Sequence, residues 1–400
     1  SMQVMEPSGP AGQPKRQSLA NWRKVFGLQE MGVYYALVLL ITTLAVITGY
    51  LGQANYLSVQ NMTNVIYQTS LIGMMAVAMT VVLISGNFDL SVASVAAFSA
   101  VVLVANSATL GFWPAAALAM LAAMLLGFLN GAIVQFVGIN AFIVTLGTMT
   151  AVRGLILLYT DGRSVSVTVP EVTSVMKAFE SGSHNGYWAV IIAGVGLLAW
   201  GVVDGLRRAV AERRLQPATL GYLAGGSFLL FIAWASGGEV QIRNPVIYMA
   251  LFTGAVWFTL SFTKVGRRVY AVGGNPEAAR LAGINVTKYR LLAFVFCSAT
   301  AGFAGILFAS RLRSMNPAGL TGAELTVIAA AILGGTSLFG GAGSVIKTLA
   351  GALLLYSLTN GFNILNLGAN WQGLIEGCVV VAAAAIYTIG DKKSKSKTSG

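Results

Sequence analysis

Apolar runs of 17–25 residues recur along the whole chain, near 33–51, 65–84, 92–108, 113–137, 141–158, 187–204, 218–236, 244–262, 291–309, 324–340, 347–365 and 371–389. About 20 apolar residues cross the hydrocarbon core of a bilayer as a helix. Within lipid a backbone must satisfy its own hydrogen bonds, and a helix does so inside one segment. The runs therefore predict transmembrane helices. What remains is too poor in charge for a water-soluble fold: such a domain carries roughly 25% charged residues, whereas here they are 10%, against 56% hydrophobic. The expected fold class is all-α, a polytopic integral membrane protein of about twelve transmembrane helices. The run at 92–108 is short and polar and that at 324–340 is interrupted by glycine, so each has a re-entrant reading beside the spanning one.

The charges supply an independent check. Eighteen of the 25 Lys and Arg residues fall in four stretches: Lys15, Arg16, Arg23 and Lys24; Arg207, Arg208, Arg213 and Arg214; Lys264, Arg267, Arg268, Arg280, Lys288 and Arg290; and Lys392, Lys393, Lys395 and Lys397. Basic residues beside span ends mark the cytoplasmic side. If all four stretches lie there, even numbers of spans must separate them, and the runs between them number six, two and four. The division expected is a disordered cytoplasmic tail at 1–32, a transmembrane domain at 33–389 and a basic cytoplasmic tail at 390–400. The net charge of +12 thus belongs to membrane topology and contact with anionic lipid, not to nucleic acid.

Several chemistries find no support. One histidine, His184, and two cysteines, Cys297 and Cys378, offer neither a metal set nor a disulfide framework, and both cysteines read as packing residues. No clustered carboxylates or Ser/His/Asp arrangement suggests a membrane enzyme such as a lipid-modifying transferase. No G-x-x-x-x-G-K-[ST] loop is present, and Gly-Lys does not occur once, so no nucleotide cofactor is expected in this chain.

The most informative loop is 266–290, GRRVYAVGGNPEAARLAGINVTKYR. Asn275 is a good N-cap, Pro276 suits the first helical position and Glu277 complements the positive helix end. Gly283 can take the left-handed conformation that ends a helix. A two-turn helix at 276–282 follows. Helices this short are marginal alone in water, so either lipid headgroups or a soluble partner must hold it.

The triplet Glu277-Ala278-Ala279, with Arg280 next and Gly283 four residues after Ala279, resembles the EAA loop of ATP-binding-cassette importer permeases. Three further segments, in order, resemble the sugar branch of that family. They are Gly86-Asn87-Phe88-Asp89-Leu90-Ser91-Val92 (with Ala93 where the family usually has glycine), Val144-Thr145-Leu146-Gly147-Thr148-Met149-Thr150-Ala151-Val152-Arg153-Gly154, and Ile332-Leu333-Gly334-Gly335-Thr336-Ser337-Leu338-Phe339-Gly340-Gly341. The resemblance covers about 60–390 and implies a ten-helix importer core with two extra helices near 187–236, a length closest to the xylose-type permeases. It implies that 266–290 is a cytoplasmic coupling loop in a bacterial inner membrane. It also implies a separate ATPase subunit that binds ATP and Mg, an extracytoplasmic sugar-binding protein, a second copy of the chain, and a monosaccharide substrate, xylose or ribose-like. Asn275, Pro276, Glu277, Ala278, Ala279, Arg280 and Gly283 would then contact the ATPase.

Pathway candidates are Asn87, Asp89, Ser91, Gly334, Gly335, Thr336 and Asn360. Asp89 has two readings, a helix cap or a gating group, because an ionisable residue among apolar ones is often functional. The glycine pairs at 334–335 and 340–341 read either as a hinge in a discontinuous helix or as a packing seam. Arg153 either snorkels to the outer interface or pairs with a carboxylate. The competing reading is a proton-coupled sugar transporter of the major facilitator type. Gly266-Arg267-Arg268 echoes the end of that family's loop motif, but Thr259 and Thr263 occupy its glycine and aspartate positions.

Overall fold

Each apolar run is helical, wholly or in part, in the computed structural model, which describes residues 26–398 other than 212, 214 and 216. The tail expected at 1–32 lies almost wholly outside the described residues. The helices are α1 (Leu28–Tyr50), α2 (Val59–Ile84), α3 (Val92–Leu110), α4 (Phe112–Ala132), α5 (Ala141–Thr160), α6 (Pro170–Met176), α7 (Tyr187–Val210), α8 (Pro217–Ala235), α9 (Asn244–Phe262), α10 (Lys264–Gly274), α11 (Pro276–Leu281), α12 (Val286–Leu312), α13 (Ala323–Leu333), α14 (Val345–Ile364) and α15 (Ala369–Thr398). Polar side chains start several of them: Ser58 accepts from Asn61 N, Asn140 from Phe142 N and Asn285 from Lys288 N.

Among the described residues ten helices are long and apolar enough to cross a membrane, and Thr219–Ala235 and Ala323–Leu333 are shorter. The run at 92–108 is thus a full span. The run at 324–340 is not: α13 has 11 residues, a rise of about 16 Å, roughly half the hydrocarbon core. The passage nevertheless runs from one end of the bundle to the other. It begins beside strand β4 (Ser314–Met315), next to Arg311 at the C-terminal end of α12, and reaches the last residues of α2 near Gly341. Turns and loop on both sides of α13 make up the missing length. Helix α15 continues into the segment expected as a basic tail at 390–400, through Thr398.

Helix α2 is the axis of the fold, 89% of its apolar window being buried, and α15, with none buried, is peripheral. The core forms where α2 packs against α9, α12, α13 and α14, with α3, α4 and α5 continuing it. The two extra helices, α7 and α8, pack chiefly on each other. Their seam is glycine: a Cβ on Gly226 would stand 2.7 Å from Gly194 O, and one on Gly201 2.9 Å from Leu223 Cδ2. Asp204 locks the hairpin, accepting from Arg208 Nε at 2.9 Å and also from Thr219 Oγ1.

Two short antiparallel ladders close one end of the bundle. Strand β1 (Val165–Ser166) pairs with β4, Val165 opposite Met315, and β2 (Ser183–Asn185) pairs with β3 (Gln241–Arg243), His184 opposite Ile242. At this end Glu180, fully buried, meets Arg311 at 2.7 Å. The basic loop 264–290, the C-terminal turn of α7 with Arg207 and Arg208, and the last part of α15 all lie at the opposite end. Three of the four basic stretches thus share one end of the bundle, and the first, at 15–24, lies outside the described residues.

Candidate functional site

At the basic end, Asn275 Oδ1 accepts from Ala278 N at 3.0 Å and starts α11, with Pro276 in its first turn. Gly283 follows at φ +83°. Arg280 Nη1 lies 2.6 Å from Glu277 Oε1. Ala279 is buried against Val272 of α10 and Val286 of α12, with Ile284 and Tyr289 packed around them. This small cluster stabilises a helix that could not stand alone. Its other side faces away from the protein: Leu281 is 90% exposed.

Helix α10 joins α11 to the membrane core through backbone. A Cβ on Gly273 would lie 1.6 Å from Ile84 O and 2.8 Å from Gly341 N, the two atoms that share a 2.8 Å hydrogen bond. A Cβ on Gly340 would lie 2.6 Å from Gly273 O and 2.9 Å from Gly86 Cα. Gly340 and Gly341 also hold φ of +92° and +77°, a region closed to most L-residues. Three chain segments, 84–86, 273–274 and 340–341, thus touch with no side chain between them. Around this junction Tyr270 OH donates to Gly343 O at 2.7 Å and Arg290 Nε to Ser85 O at 3.1 Å. Burial pushes the Tyr270 phenol above its ordinary pKa.

The pathway candidates divide between the two ends. Asp89 is fully buried, and its Oδ1 accepts from Ser91 N at 2.8 Å and Ser91 Oγ at 2.6 Å. This is a local turn before α3, whose N-cap residue is Ser91 without a side-chain cap bond. Ser91 Oγ in turn accepts from Asn130 Nδ2 at 3.0 Å, and Asn130 Oδ1 accepts from Thr148 Oγ1 at 2.5 Å. The 86–92 and 144–154 segments are therefore bridged by Asn130 of α4, which the sequence reading missed; its signal was a lone amide in an apolar run. Among the described residues Asn87 Nδ2, Asp89 Oδ2 and Thr336 Oγ1 are buried without a hydrogen-bond partner. Groups of that kind are uncommon in native interiors and need a reason.

Gly334 is pressed on α14, where a Cβ would stand 2.6 Å from Thr348 N, and Gly335, at φ +81°, faces Tyr387 at 3.3 Å. Tyr387 OH donates to Leu333 O at 2.8 Å. Close packing and left-handed turns occupy one segment here. Asn360 stands apart, at the Glu180 end, accepting from Asn61 Nδ2 at 3.1 Å. Arg153 does something not anticipated, donating from Nη1 to Pro317 O and Gly319 O at 3.1 and 2.8 Å, so that it anchors the segment before α13. Cys297 is buried as expected, but Cys378 is exposed on α15.

Residues 61–384 match the family described as branched-chain amino acid transport system / permease component. The xylose transport system permease protein XylH of Escherichia coli (strain K12) is 33% identical over 348 residues, 85% of this chain and 87% of its own length. XylH of Haemophilus influenzae is 32% identical, covering 89% and 96% respectively. The ribose import permease protein RbsC of Escherichia coli (strain K12) is 31% identical over 363 residues, covering 90% and 94%. No solved structure matches. These matches set aside the major facilitator alternative, whose loop motif was already incomplete. With ten spanning helices and a family match across most of its length, the chain is a multi-pass inner-membrane permease belonging to the branched-chain amino acid transport system / permease component family.

Proposed function

We propose that the chain forms the translocation pathway of an ATP-driven importer for a monosaccharide, xylose or a ribose-like pentose. In this reading a second copy completes the channel, an extracytoplasmic binding protein delivers the sugar, and a separate ATPase holds ATP and Mg. The basic end is cytoplasmic, which puts both termini there and lets the lysines of α15 meet anionic lipid. The observation that carries the proposal is the capped, outward-facing α11 linked through α10 to the glycine junction. A short amphipathic helix with Leu281 exposed suits a groove on a soluble subunit. A displacement of α11 reaches Ile84 and Gly341 through Gly273 with no flexible side chain to absorb it. Those residues end α2 and follow α13, beside the orphaned groups of Asn87, Asp89 and Thr336.

The relatives support the sugar assignment by the substrates in their names, xylose and ribose. Orphaned hydroxyl, amide and carboxyl groups along one half of the bundle suit a hydroxyl-rich solute passing by, because each hydroxyl both donates and accepts. The test is co-purification of an ATPase with the tagged chain, then sugar uptake into vesicles holding the assembled complex with its binding protein. An ATPase that fails to co-purify, or uptake independent of ATP, overturns the reading.

A further inference from the structure

A cavity of about 720 Å³ opens at the Glu180 end, far from the glycine junction. Its wall is built from the start of α2, the loop before it, the segment 236–243 and Ile364 of α14. Nine of the 14 lining residues are polar and uncharged, three are apolar, and Glu239 and Arg243 contribute one charge of each sign. That balance disfavours an ion, and so few apolar groups disfavour a hydrophobic solute. It suits a neutral molecule dense in hydroxyls.

Part of the wall is pre-set and part is available. Tyr67 OH donates to Glu180 Oε1 at 2.5 Å, and the buried Glu180 is itself held by Arg311 at 2.7 Å and by Ser181 Oγ at 2.8 Å. The guanidinium carbons of Arg243 and Arg311 lie 4.3 and 4.1 Å from the Tyr67 ring centroid, which positions Arg243 at the cavity. Asn61 is fixed by donating to Tyr56 O at 2.8 Å and to Asn360 Oδ1. By contrast the side chains of Asn64 and Gln241 are exposed in the cavity and make no hydrogen bond among the described residues. Fixed groups that orient and unpaired amides that accept new bonds are what a small polar ligand requires.

We infer that this cavity is an outer monosaccharide site, where sugar released by the binding protein is held before it enters the pathway past Asn61 and Asn360. The inference rests on the import reading above. Its test uses the full complex in lipid nanodiscs on a Cys378→Ser background. Asn64→Cys and Gln241→Cys are labelled with an impermeant thiol reagent, and Leu57→Cys, exposed nearby but outside the lining, serves as control. D-xylose or D-ribose in the tens of millimolar should slow labelling at the two cavity positions at least threefold and leave Leu57→Cys unchanged. The double variant Asn64→Leu/Gln241→Leu should lose about tenfold in vesicle uptake while the complex assembles and the binding protein still docks. Uptake by the wild type with no protection by either sugar overturns the outer site alone. Loss of binding-protein docking in the double variant overturns it too, by making the cavity a protein-docking surface. Protection without any uptake by the wild type keeps the site and overturns the import reading.

Discussion

Replacing Gly273 with alanine tests the backbone junction at its tightest point. The added methyl carbon would start 1.6 Å from Ile84 O and 2.7 Å from Ile84 C, and real Cβ atoms essentially never come closer than 3.0 Å to such neighbours. The segments must therefore separate by roughly 1.4 Å along that contact, and both neighbours are backbone, so no side chain can rotate aside. Overpacking of this kind costs about 1–3 kcal/mol, and the Gly341 N–Ile84 O bond lost with it adds about 1 kcal/mol. Together these give about 2–4 kcal/mol, a large share of ordinary domain stability. Gly274→Ala supplies the control, since its Cβ would meet only Gly341 Cα at 3.8 Å. Thermal stability of detergent-extracted complex should fall clearly for Gly273→Ala and hardly for Gly274→Ala. Sugar-stimulated ATP hydrolysis should separate them in the same direction. Equal behaviour of the two variants, or wild-type stability and coupling in Gly273→Ala, would refute the claim that backbone contact links α10 to α2.

Gly283→Val should leave membrane insertion intact and weaken coupled ATP hydrolysis, because Gly283 sits at φ +83° with open space around its Cβ position; the left-handed conformation alone costs about 1–2 kcal/mol. Glu180→Gln leaves Arg311 uncompensated, a loss on the order of 3–5 kcal/mol visible as a lower melting temperature, and Glu180→Gln/Arg311→Met should recover part of it. Asn130→Leu removes the shared partner of Ser91 and Thr148, costs about 1–3 kcal/mol, and should depress uptake even where folded complex is recovered by size-exclusion chromatography. A cysteine at Ser183 should label from outside intact cells and one at Ala209 should not, since these residues lie near opposite ends of α7; the reverse pattern would invert the topology.

The membrane class, the helix positions and the common end of the three described basic stretches were legible because each depends on near neighbours in the chain. Run length sets whether a helix can span, and Lys and Arg beside a span end set its orientation. The cap at Asn275, the proline after it and the stop at Gly283 are all local, so α11 could be drawn from nine residues. The tertiary structure decided what those elements meet. Glycine pairs at 273–274 and 340–341 announce freedom but not a partner, and only packing brings both to Ile84. Asn130 in an apolar run gives no sign that it bridges Ser91 and Thr148, and Asn360 gives none that it belongs at the opposite end from Asp89. Glu180 and Arg311 are 131 positions apart and pair directly, with Tyr67 donating to the same carboxylate from a third element. Hydropathy and capping are properties of consecutive residues, whereas a buried hydrogen bond or a 1.6 Å exclusion exists only once distant segments have been packed together.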